Sequence, residues 1–476
     1  MKRTLLFLIF IVYVVPQVLT FSSCASIIPP GGGPRDTIPP HLLYAVPKDS
    51  GTNVKSMRIT LTFDEYVEVK SVQENLIVSP IPKNLPIVDY KLRNITIKLR
   101  DSLQPNTTYS LNFGNSIKDI NEGNVFKEFT YVFSTGNKID SGGLHGKVIL
   151  AETGKLDSTL IVVLYNNLDD TAVLKTKPRY YAKLDGKGNF SFHFLPKGMF
   201  NAFVMPNDYS KKYDDSTKIF GFLDHPLYIG EDSVQSVKFY AYQEFKRKEK
   251  TSTGGGSNTN KQSQPAGSKE NKEDKRLHVS ASLESGQQDL LKKSLDITYS
   301  RKLKVFDSTK FILTDTSYQP LKNYSVSLDT TLKVVSIKTK WQPEGYYRLI
   351  VNKEAAADTN GIMISKSDTL RFTAKKEADY GSVKIRFKNL DLSKNPVLQI
   401  IQTDQLIESV PMTSNEFVRK LFKPGDYELR ILYDKNKNGI WDPGDYKKKL
   451  QPEIVVPLKD KFNVRADWDN EPEYVL

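Results

Sequence analysis

Alternation of apolar and polar residues limits the folds open to this chain more than any other feature. Ile59, Leu61 and Phe63 are separated by polar residues, and successive side chains of a strand point to opposite faces of a sheet. This segment is therefore predicted to be a strand with one buried face. The same period recurs at Ile95, Ile97 and Leu99, at Tyr131 and Phe133, and at Phe190, Phe192 and Phe194. Because no segment shows a sustained helical period, the sequence predicts an all-β fold of tandem Ig-like β-sandwich domains.

Length and residue usage indicate several such cores in one chain. The 476 residues exceed the needs of one β-sandwich. They correspond to roughly three or four domains of about 100–150 residues each. The chain has 24 Tyr and 24 Phe but only 6 Met, a usage that favours strands over helices.

Two long stretches, 41–137 and 279–376, repeat the same series of motifs. Each contains an alternating strand, then a segment that begins Gln-Pro and includes a tyrosine, then a turn that begins with aspartate. The Gln-Pro segments begin at Gln104 and Gln342, and the turns begin at Asp119 and Asp358. We name the two stretches A1 and A2 and predict that they are copies of one Ig-like domain.

A second kind of module follows each copy, at 138–245 and at 377–476. Both modules contain an apolar residue, then Pro and Lys in either order, then Gly, directly before an aromatic strand. This motif lies at 195–198 in the first module and at 422–425 in the second. We name these modules B1 and B2 and predict that both are small β-sandwiches.

The first 40 residues have the features of a targeting and tethering segment. Residues 1–23 combine a positively charged start with a short apolar run, which predicts a lipoprotein signal peptide. Small residues precede Cys24, the single cysteine, in an arrangement that resembles a bacterial lipobox, whose cysteine receives diacylglycerol. Cys24 is therefore the predicted lipidation site, and the Pro- and Gly-rich residues 24–40 are the predicted tether. Phe21 stands where a smaller aliphatic residue is usual, so ordinary signal-peptide cleavage is the alternative.

A polar, glycine-containing stretch at 246–278 separates the first pair of domains from the second. Residues 246–276 include nine Lys or Arg and four Asp or Glu, so five of the thirteen net positive charges lie here. This composition predicts a disordered linker, and we expect the two arms to fold separately with few contacts between them. Because this charge does not lie on a folded face and no aromatic residue interrupts the stretch, we expect no nucleic-acid binding.

Several motifs of A1 resemble one known group of envelope proteins. The run Pro-Pro-Gly-Gly-Gly-Pro-Arg-Asp-Thr-Ile-Pro-Pro at 29–40, followed by Phe-Asp-Glu-Tyr-Val at 63–67 and Val-Ser-Pro at 78–80, is similar to the opening of Bacteroidetes lipoproteins with an SbsA-type bacterial Ig-like domain. B1 and B2 are similar to Cna-B or carboxypeptidase-regulatory modules. The resemblance implies an outer-membrane location, a structural or binding role, and no catalytic residues. A2 departs from the pattern, with Ser300, Arg301 and Lys302 at the Asp-Glu-Tyr step.

The inventory of reactive side chains argues against an enzyme. The five histidines are scattered without zinc-ligand spacing, and no Gly-x-Ser-x-Gly motif or phosphate-binding loop is present. Asp64 and Glu65 are adjacent on a strand, so their carboxylates point to opposite faces and do not form a glycosidase pair. We therefore expect no catalytic residues.

The segment at 434–445 has the spacing of a metal-binding loop. Oxygen-bearing side chains occupy loop positions 1, 3, 5, 9 and 12, glycine occupies position 6, and a main-chain carbonyl is available at position 7. In that order, the residues are Asp434, Asn436, Asn438, Asp442 and Asp445, then Gly439, then Ile440. Hard oxygen ligands suit Ca²⁺, so the sequence predicts a calcium loop. The alternative is a polar hairpin turn at Asn438 and Gly439.

These features predict a non-catalytic lipoprotein of the outer membrane that acts as an envelope scaffold or accessory protein-binding module. The partner protein and the face of the membrane stay open. The alternative function is a surface glycan-binding module, which would need a cluster of exposed tryptophans. The chain has three, Trp341, Trp441 and Trp468.

Overall fold

A computed structural model describes residues 35–244 and 276–476. The signal peptide, Cys24 and most of the predicted linker lie outside the described residues. Strands dominate both described stretches, and the helices in them are single short turns, which confirms the all-β fold class. Within the same two stretches, no helix has the length and apolar character needed to span a bilayer.

Domain A1 consists of β1 (Leu42–Val46), β2 (Arg58–Phe63), β3 (Val67–Val69), α1 (Val72–Asn75), β4 (Ile77–Ser79), β5 (Ile87–Lys91), β6 (Asn94–Lys98), β7 (Thr108–Asn112), β8 (Ile117–Asp119) and β9 (Thr130–Ser134). A sheet of order β1-β2-β6-β5 faces a β4-β7-β9 sheet, and β3 pairs with β8 at one end. Ile59 and Leu61 on β2 lie opposite Ile97 and Ile95 on β6, and all four side chains are fully buried. The alternation of the sequence therefore marks the core face.

Module B1 consists of β10 (Gly142–Leu150), β11 (Leu160–Tyr165), α2 (Ala172–Lys175), β12 (Tyr180–Lys183), β13 (Asn189–Leu195), β14 (Gly198–Pro206), β15 (Ile219–Phe222), β16 (Leu227–Ile229) and β17 (Val234–Gln243). The strands follow the order β12-β11-β14-β15-β17-β10-β13, and β10 runs parallel to β17. The predicted alternation is wrong at Phe194. A bulge in β13 gives Phe194 a φ of 59° and places Leu195, not Phe194, in the core.

Domain A2 consists of β18 (Val279–Ala281), β19 (Gln287–Gln288), β20 (Ser294–Tyr299), β21 (Leu303–Phe306), β22 (Phe311–Thr314), β23 (Tyr324–Leu328), β24 (Val334–Thr339), β25 (Tyr346–Val351), β26 (Ala356–Asp358) and β27 (Asp368–Ala374), with short 3₁₀ turns at Ser308–Lys310, Lys353–Ala355 and Glu377–Asp379. Its sheets follow the orders β18-β20-β24-β23 and β19-β27-β25-β22, with β21 paired to β26. Leu277 is 5% exposed and packs in this core, so the end of the predicted linker belongs to A2.

Matching hydrogen bonds recur in A1 and A2. In both Gln-Pro segments a tyrosine hydroxyl accepts from the backbone N–H of the glutamine, Gln104 to Tyr109 at 2.8 Å and Gln342 to Tyr347 at 2.9 Å. The N–H that begins β3 or β21 donates to a leucine carbonyl in a hairpin turn, at Leu92 in A1 and Leu332 in A2. The two domains thus share local geometry as well as motif order.

Module B2 consists of β28 (Gly381–Lys388), β29 (Pro396–Gln402), β30 (Gln405–Pro411), β31 (Glu416–Phe422), β32 (Gly425–Tyr433), β33 (Ile454–Pro457), β34 (Phe462–Val464), β35 (Asp469–Asn470) and β36 (Glu473–Val475), with a 3₁₀ turn at Leu392–Lys394. One sheet has the order β30-β29-β32-β33, and β28 pairs with β31 on one side and with β35 and β36 on the other. Glu284 of A2 accepts hydrogen bonds from Lys375 of the same domain and Lys423 of B2, which lower its pKa to about 2.

The expectation that the two arms make few contacts with each other is wrong, because B1 and B2 pack against each other. Tyr446 of B2 lies in an aromatic cluster of B1, with its ring centroid 5.7 Å from Phe203, 5.1 Å from Phe220 and 5.2 Å from Phe222. Tyr446 is 5% exposed. An aromatic side chain at this depth belongs to a core and not to a surface contact.

Polar groups complete the B1–B2 interface. The Tyr446 hydroxyl donates to the carbonyl of Asp170 at 2.9 Å. The N–H of Val455 donates to the carbonyl of Ala151, also at 2.9 Å, so the backbones of the two modules are in direct contact. Two ion pairs lie beside them, Lys155 with Asp404 at 2.7 Å and Lys449 with Asp170 at 2.6 Å.

We expect the two arms to stay together after the chain is cut between residues 245 and 275, because the B1–B2 interface does not need the linker. The cut halves should co-elute in gel filtration. Tyr446→Ala should weaken their association by about 3–5 kcal/mol, the usual loss for a buried aromatic ring. Tyr446→Phe keeps the ring and should cost only about 1 kcal/mol for the lost hydrogen bond. Separation of wild-type halves at micromolar concentration would show that the interface does not hold the arms.

Candidate functional site

The predicted calcium residues lie in the connection between β32 and β33. Asp434 follows β32 directly and is only 2% exposed. Its two carboxylate oxygens accept the backbone N–H groups of Lys437 at 2.6 Å and Gly439 at 2.7 Å. Lys437 and Gly439 have φ of 63° and 77°, so the chain turns tightly around the aspartate. Glycine takes this left-handed conformation without strain.

The two asparagines of the loop contact the next predicted ligand. The side-chain amides of Asn436 and Asn438 donate to the same oxygen of Asp442, at 2.6 and 2.7 Å. Their own carbonyl oxygens accept backbone N–H groups, from Asn438 at 3.1 Å and from Ile440 at 2.7 Å. The structure therefore brings Asp434, Asn436, Asn438 and Asp442 into one turn. Rotation of a carboxamide exchanges its oxygen and nitrogen, so these side chains can present oxygen to a cation.

Glu453 is a member of this group that sequence spacing missed. It is 3% exposed and accepts the backbone N–H of Lys435 at 2.6 Å and of Asp442 at 3.1 Å. Burial raises the pKa of the Glu453 carboxyl, and the carboxylates of Asp434 and Asp442 raise it further. Glu453 lies 11 residues after Asp442 in the sequence, so no contiguous loop pattern includes it. The only sequence signal is an acidic residue just before an apolar strand.

Asp445 does not join this group. It lies in a second turn, where its carboxylate pairs with Lys448 at 2.9 Å and its backbone bonds with Leu450. The contacts with Lys448 lower the pKa of Asp445. The Ile440 side chain is 69% exposed at the tip of the loop. Within the described residues no three His, Cys, Asp or Glu side chains come close enough to hold a metal alone, so asparagine or carbonyl oxygens would be required.

The corresponding connection of B1, between β14 and β15, holds a cation of its own. The ammonium group of Lys218 lies 2.6 Å from a carboxylate oxygen of Asp208 and 2.6 Å from one of Asp214. The Ser210 hydroxyl and the Lys212 carbonyl complete its surroundings at 3.3 Å. In the described part of B2, no lysine or arginine nitrogen comes within 4 Å of the carboxylates of Asp434, Asp442 or Glu453. The B1 loop thus has a side-chain cation between two of its carboxylates, and in the described part of B2 no lysine or arginine takes that place.

The loop also forms the B2 side of the B1–B2 interface. The indole N–H of Trp441 donates to the carbonyl of Glu453 at 2.8 Å, and the ring packs against the buried clusters of both modules. Tyr446 follows a few residues later and enters the B1 core. The 434–453 segment therefore couples an acidic turn to the packing of B1 on B2.

The tryptophans do not form a platform for a glycan. Trp341 is 7% exposed in the A2 core and packs against Tyr347 and Phe372. Trp441 is held at the interface as described above. Trp468 is 60% exposed, with the Arg465 guanidinium 5.2 Å from its ring. One exposed indole offers a single stacking surface.

Comparisons with known proteins support the assignment of A1. A family model described as the bacterial Ig-like domain matches residues 36–135. The chain is therefore a protein with a bacterial Ig-like domain and several β-sandwich domains. A comparison with curated protein sequences found no match.

Solved structures with detectable similarity include a Bacillus anthracis protein, a pilin subunit and part of an S-layer protein. The Bacillus anthracis TIE protein is 10% identical over 94% of this chain and 76% of its own, with a TM-score of 0.16. BcpA, the major pilin subunit of Bacillus cereus, is 11% identical over 70% of this chain and 99% of its own, with a TM-score of 0.16. The N-terminal part of the bacterial S-layer protein SbsC is 16% identical over 40% and 41%, also at 0.16.

Proposed function

We propose that the chain is a non-catalytic lipoprotein, anchored in the outer membrane through Cys24, that acts as an envelope scaffold or accessory protein-binding module. The observation that carries this proposal is the B1–B2 core, which joins two A–B pairs into one body that carries two Ig-like domains. The bacterial Ig-like match in A1 supports an envelope role. The lipobox-like position of Cys24 supports the anchor.

Replacement of the predicted acyl acceptor tests the anchor. Cys24→Ser should move the protein from the outer-membrane fraction to the soluble fraction, because two acyl chains contribute far more binding free energy than surface charge does. Washing with high salt removes protein that is held by charge alone and serves as the control. Persistence of the variant in washed outer membranes would rule out Cys24 as the anchor.

Affinity purification from solubilised outer membranes tests the binding role. We expect a protein to co-purify at a fixed ratio after chemical crosslinking, with the Cys24→Ser variant as the control for anchoring. Digestion of the sample with glycosidases should leave that protein bound. Recovery of polysaccharide without a stoichiometric protein would instead favour the glycan-binding alternative.

We also propose that the 434–453 loop binds Ca²⁺. The specific support is the contrast between the modules, because Lys218 supplies a cation to the loop of B1, while no lysine or arginine of the described residues pairs with Asp434, Asp442 or Glu453. Asp434, Asp442 and Glu453 would supply the charge, and Asn436 and Asn438 would supply neutral oxygens. Burial and then the charges of Asp434 and Asp442 raise the pKa of Glu453, and a bound cation would offset the contribution of those charges.

Unfolding of the full chain with calcium or with chelator tests this site. For a dissociation constant of about 10⁻⁴–10⁻³ M, about 1 mM Ca²⁺ should raise the free energy of unfolding of B2 by about 0.4–1.4 kcal/mol. Asp434→Asn and Glu453→Gln should abolish the increase, and the matched Asp445→Asn should retain it, because Asp445 pairs with Lys448. Loss of the increase in Asp445→Asn alone would favour the contiguous loop over the cluster with Glu453. If calcium does not raise the free energy of unfolding of the wild type, the loop is a polar hairpin turn without a calcium site.

A further inference from the structure

The duplicated Ig-like domains differ in charge at one structurally equivalent position. In A1 the two-stranded β3–β8 sheet pairs Val67 with Asp119, and in A2 the matching β21–β26 sheet pairs Leu303 with Asp358. Two residues before Val67 stands Glu65, and two residues before Leu303 stands Arg301. A carboxylate in the first copy therefore replaces a guanidinium in the second.

In A2 the residue at this position supplies a positive charge to a buried aspartate. Asp358 is fully buried and accepts the backbone N–H groups of Asn360 and Ile362, both at 2.8 Å. The guanidinium of Arg301 lies 3.1 Å from the second oxygen of Asp358. Backbone hydrogen bonds from its turn and the positive charge of Arg301 thus stabilise the buried carboxylate within one domain.

In A1 the same aspartate lacks that counter-charge. Asp119 is fully buried and accepts three backbone N–H groups, from Glu122 at 2.6 Å, Gly123 at 2.9 Å and Asn124 at 2.6 Å. Among the described residues, no lysine, arginine or histidine nitrogen lies within 4 Å of the carboxylates of Asp119 or Glu65. Burial raises the pKa of Glu65, and Asp119 and the other nearby acids raise it further.

Exposed apolar residues surround these acids. Tyr66 is 49% exposed, Leu92 59% and Ile120 50%. Backbone hydrogen bonds hold them together, from Ile120 to Tyr66 and from Val67 to Leu92. A ring nitrogen of His41 lies 3.5 Å from the carboxylate of Asp64, and the Arg93 guanidinium lies 5.7 Å from the centroid of the Tyr66 ring. We define the acidic end of A1 as Asp64, Glu65, Tyr66, Leu92 and Ile120.

The equivalent surface of A2 has the opposite charge. Lys302 and Lys304 are exposed there, next to Val305 at 50% and Leu332 at 43% exposure. We define the basic end of A2 as Lys302, Lys304, Val305 and Leu332. Each end combines charge with apolar area, the composition of many protein interfaces. In the described chain no ion pair joins the two ends to each other.

We propose that the acidic end of A1 binds the basic end of A2 of a second copy of this chain. A lysine of the second copy places beside Glu65 a positive charge like the one that Arg301 supplies to Asp358 within A2. Tyr66, Leu92 and Ile120 pack against Val305 and Leu332. Because every copy carries both ends, the contact is head to tail, and it either closes into a ring or continues as a filament. The proposal extends the scaffold role and does not depend on calcium.

Sedimentation of the full chain with Cys24→Ser, which removes lipid-driven association, tests this contact. Self-association should increase with concentration and weaken with salt. Glu65→Arg and Lys302→Glu should each weaken it by about tenfold or more, because each places like charges opposite each other. An equimolar mixture of the two variants should recover association, since the basic A1 end of one then faces the acidified A2 end of the other.

Two controls separate loss of contact from loss of fold. Glu65→Arg reproduces the Arg301–Asp358 arrangement, so it should unfold at the same or a higher temperature than the parent chain. The calcium-loop variant Asp434→Asn should associate normally. A chain that is monomeric at all concentrations, or association that Glu65→Arg leaves unchanged, overturns the proposal. Loss of association on adding chelator would show that a metal ion, and not a lysine, occupies the acidic end.

Discussion

Burial of Tyr446 in the aromatic cluster of B1 is the interaction on which the arrangement of the domains depends. Without it, the B1–B2 interface would consist mainly of the Trp441 contact, backbone hydrogen bonds and exposed ion pairs. With it, an aromatic ring of B2 lies inside a buried cluster of B1, and the two modules that carry A1 and A2 are in direct contact. The ring fits because Phe203, Phe220 and Phe222 surround it edge-on, and because its hydroxyl reaches the Asp170 carbonyl.

A second recurring device is the buried aspartate that organises a turn. Asp119, Asp358 and Asp434 each lie almost fully out of solvent, and each accepts two or more backbone N–H groups of the turn that follows. These hydrogen bonds compensate the loss of hydration of the carboxylate, while its negative charge still favours a nearby cation. The three sites differ in what supplies that cation. Arg301 supplies it in A2, whereas no side-chain cation of the described chain reaches the other two.

This difference gives a physical basis for binding sites in a protein built from copies. The repeated fold keeps the turn and the aspartate, because they hold the backbone together. A single exchange, such as Glu65 for Arg301, then converts a satisfied internal pair into a surface that attracts an external charge. The loops of B1 and B2 differ in the same way, because Lys218 pairs with an aspartate of the B1 loop.

The sequence by itself determined the fold class and the face of most strands. Ile59, Leu61, Ile95 and Ile97 are buried as their alternation requires, because a strand's side chains alternate regardless of its partners. It also located the turn of Asp434, Asn436, Asn438 and Asp442, because those contacts are local.

Only the tertiary structure decided which distant segments meet. It placed Glu453, and not Asp445, beside Asp434 and Asp442 in the 434–453 segment. It also moved Phe194 out of the B1 core through a bulge and buried Tyr446 of B2 in B1. None of these has a periodic signal, because each depends on which strands become neighbours after the sheets have formed. Residue spacing carries local geometry, whereas contacts between modules are fixed by shape and charge that appear only when the domains pack.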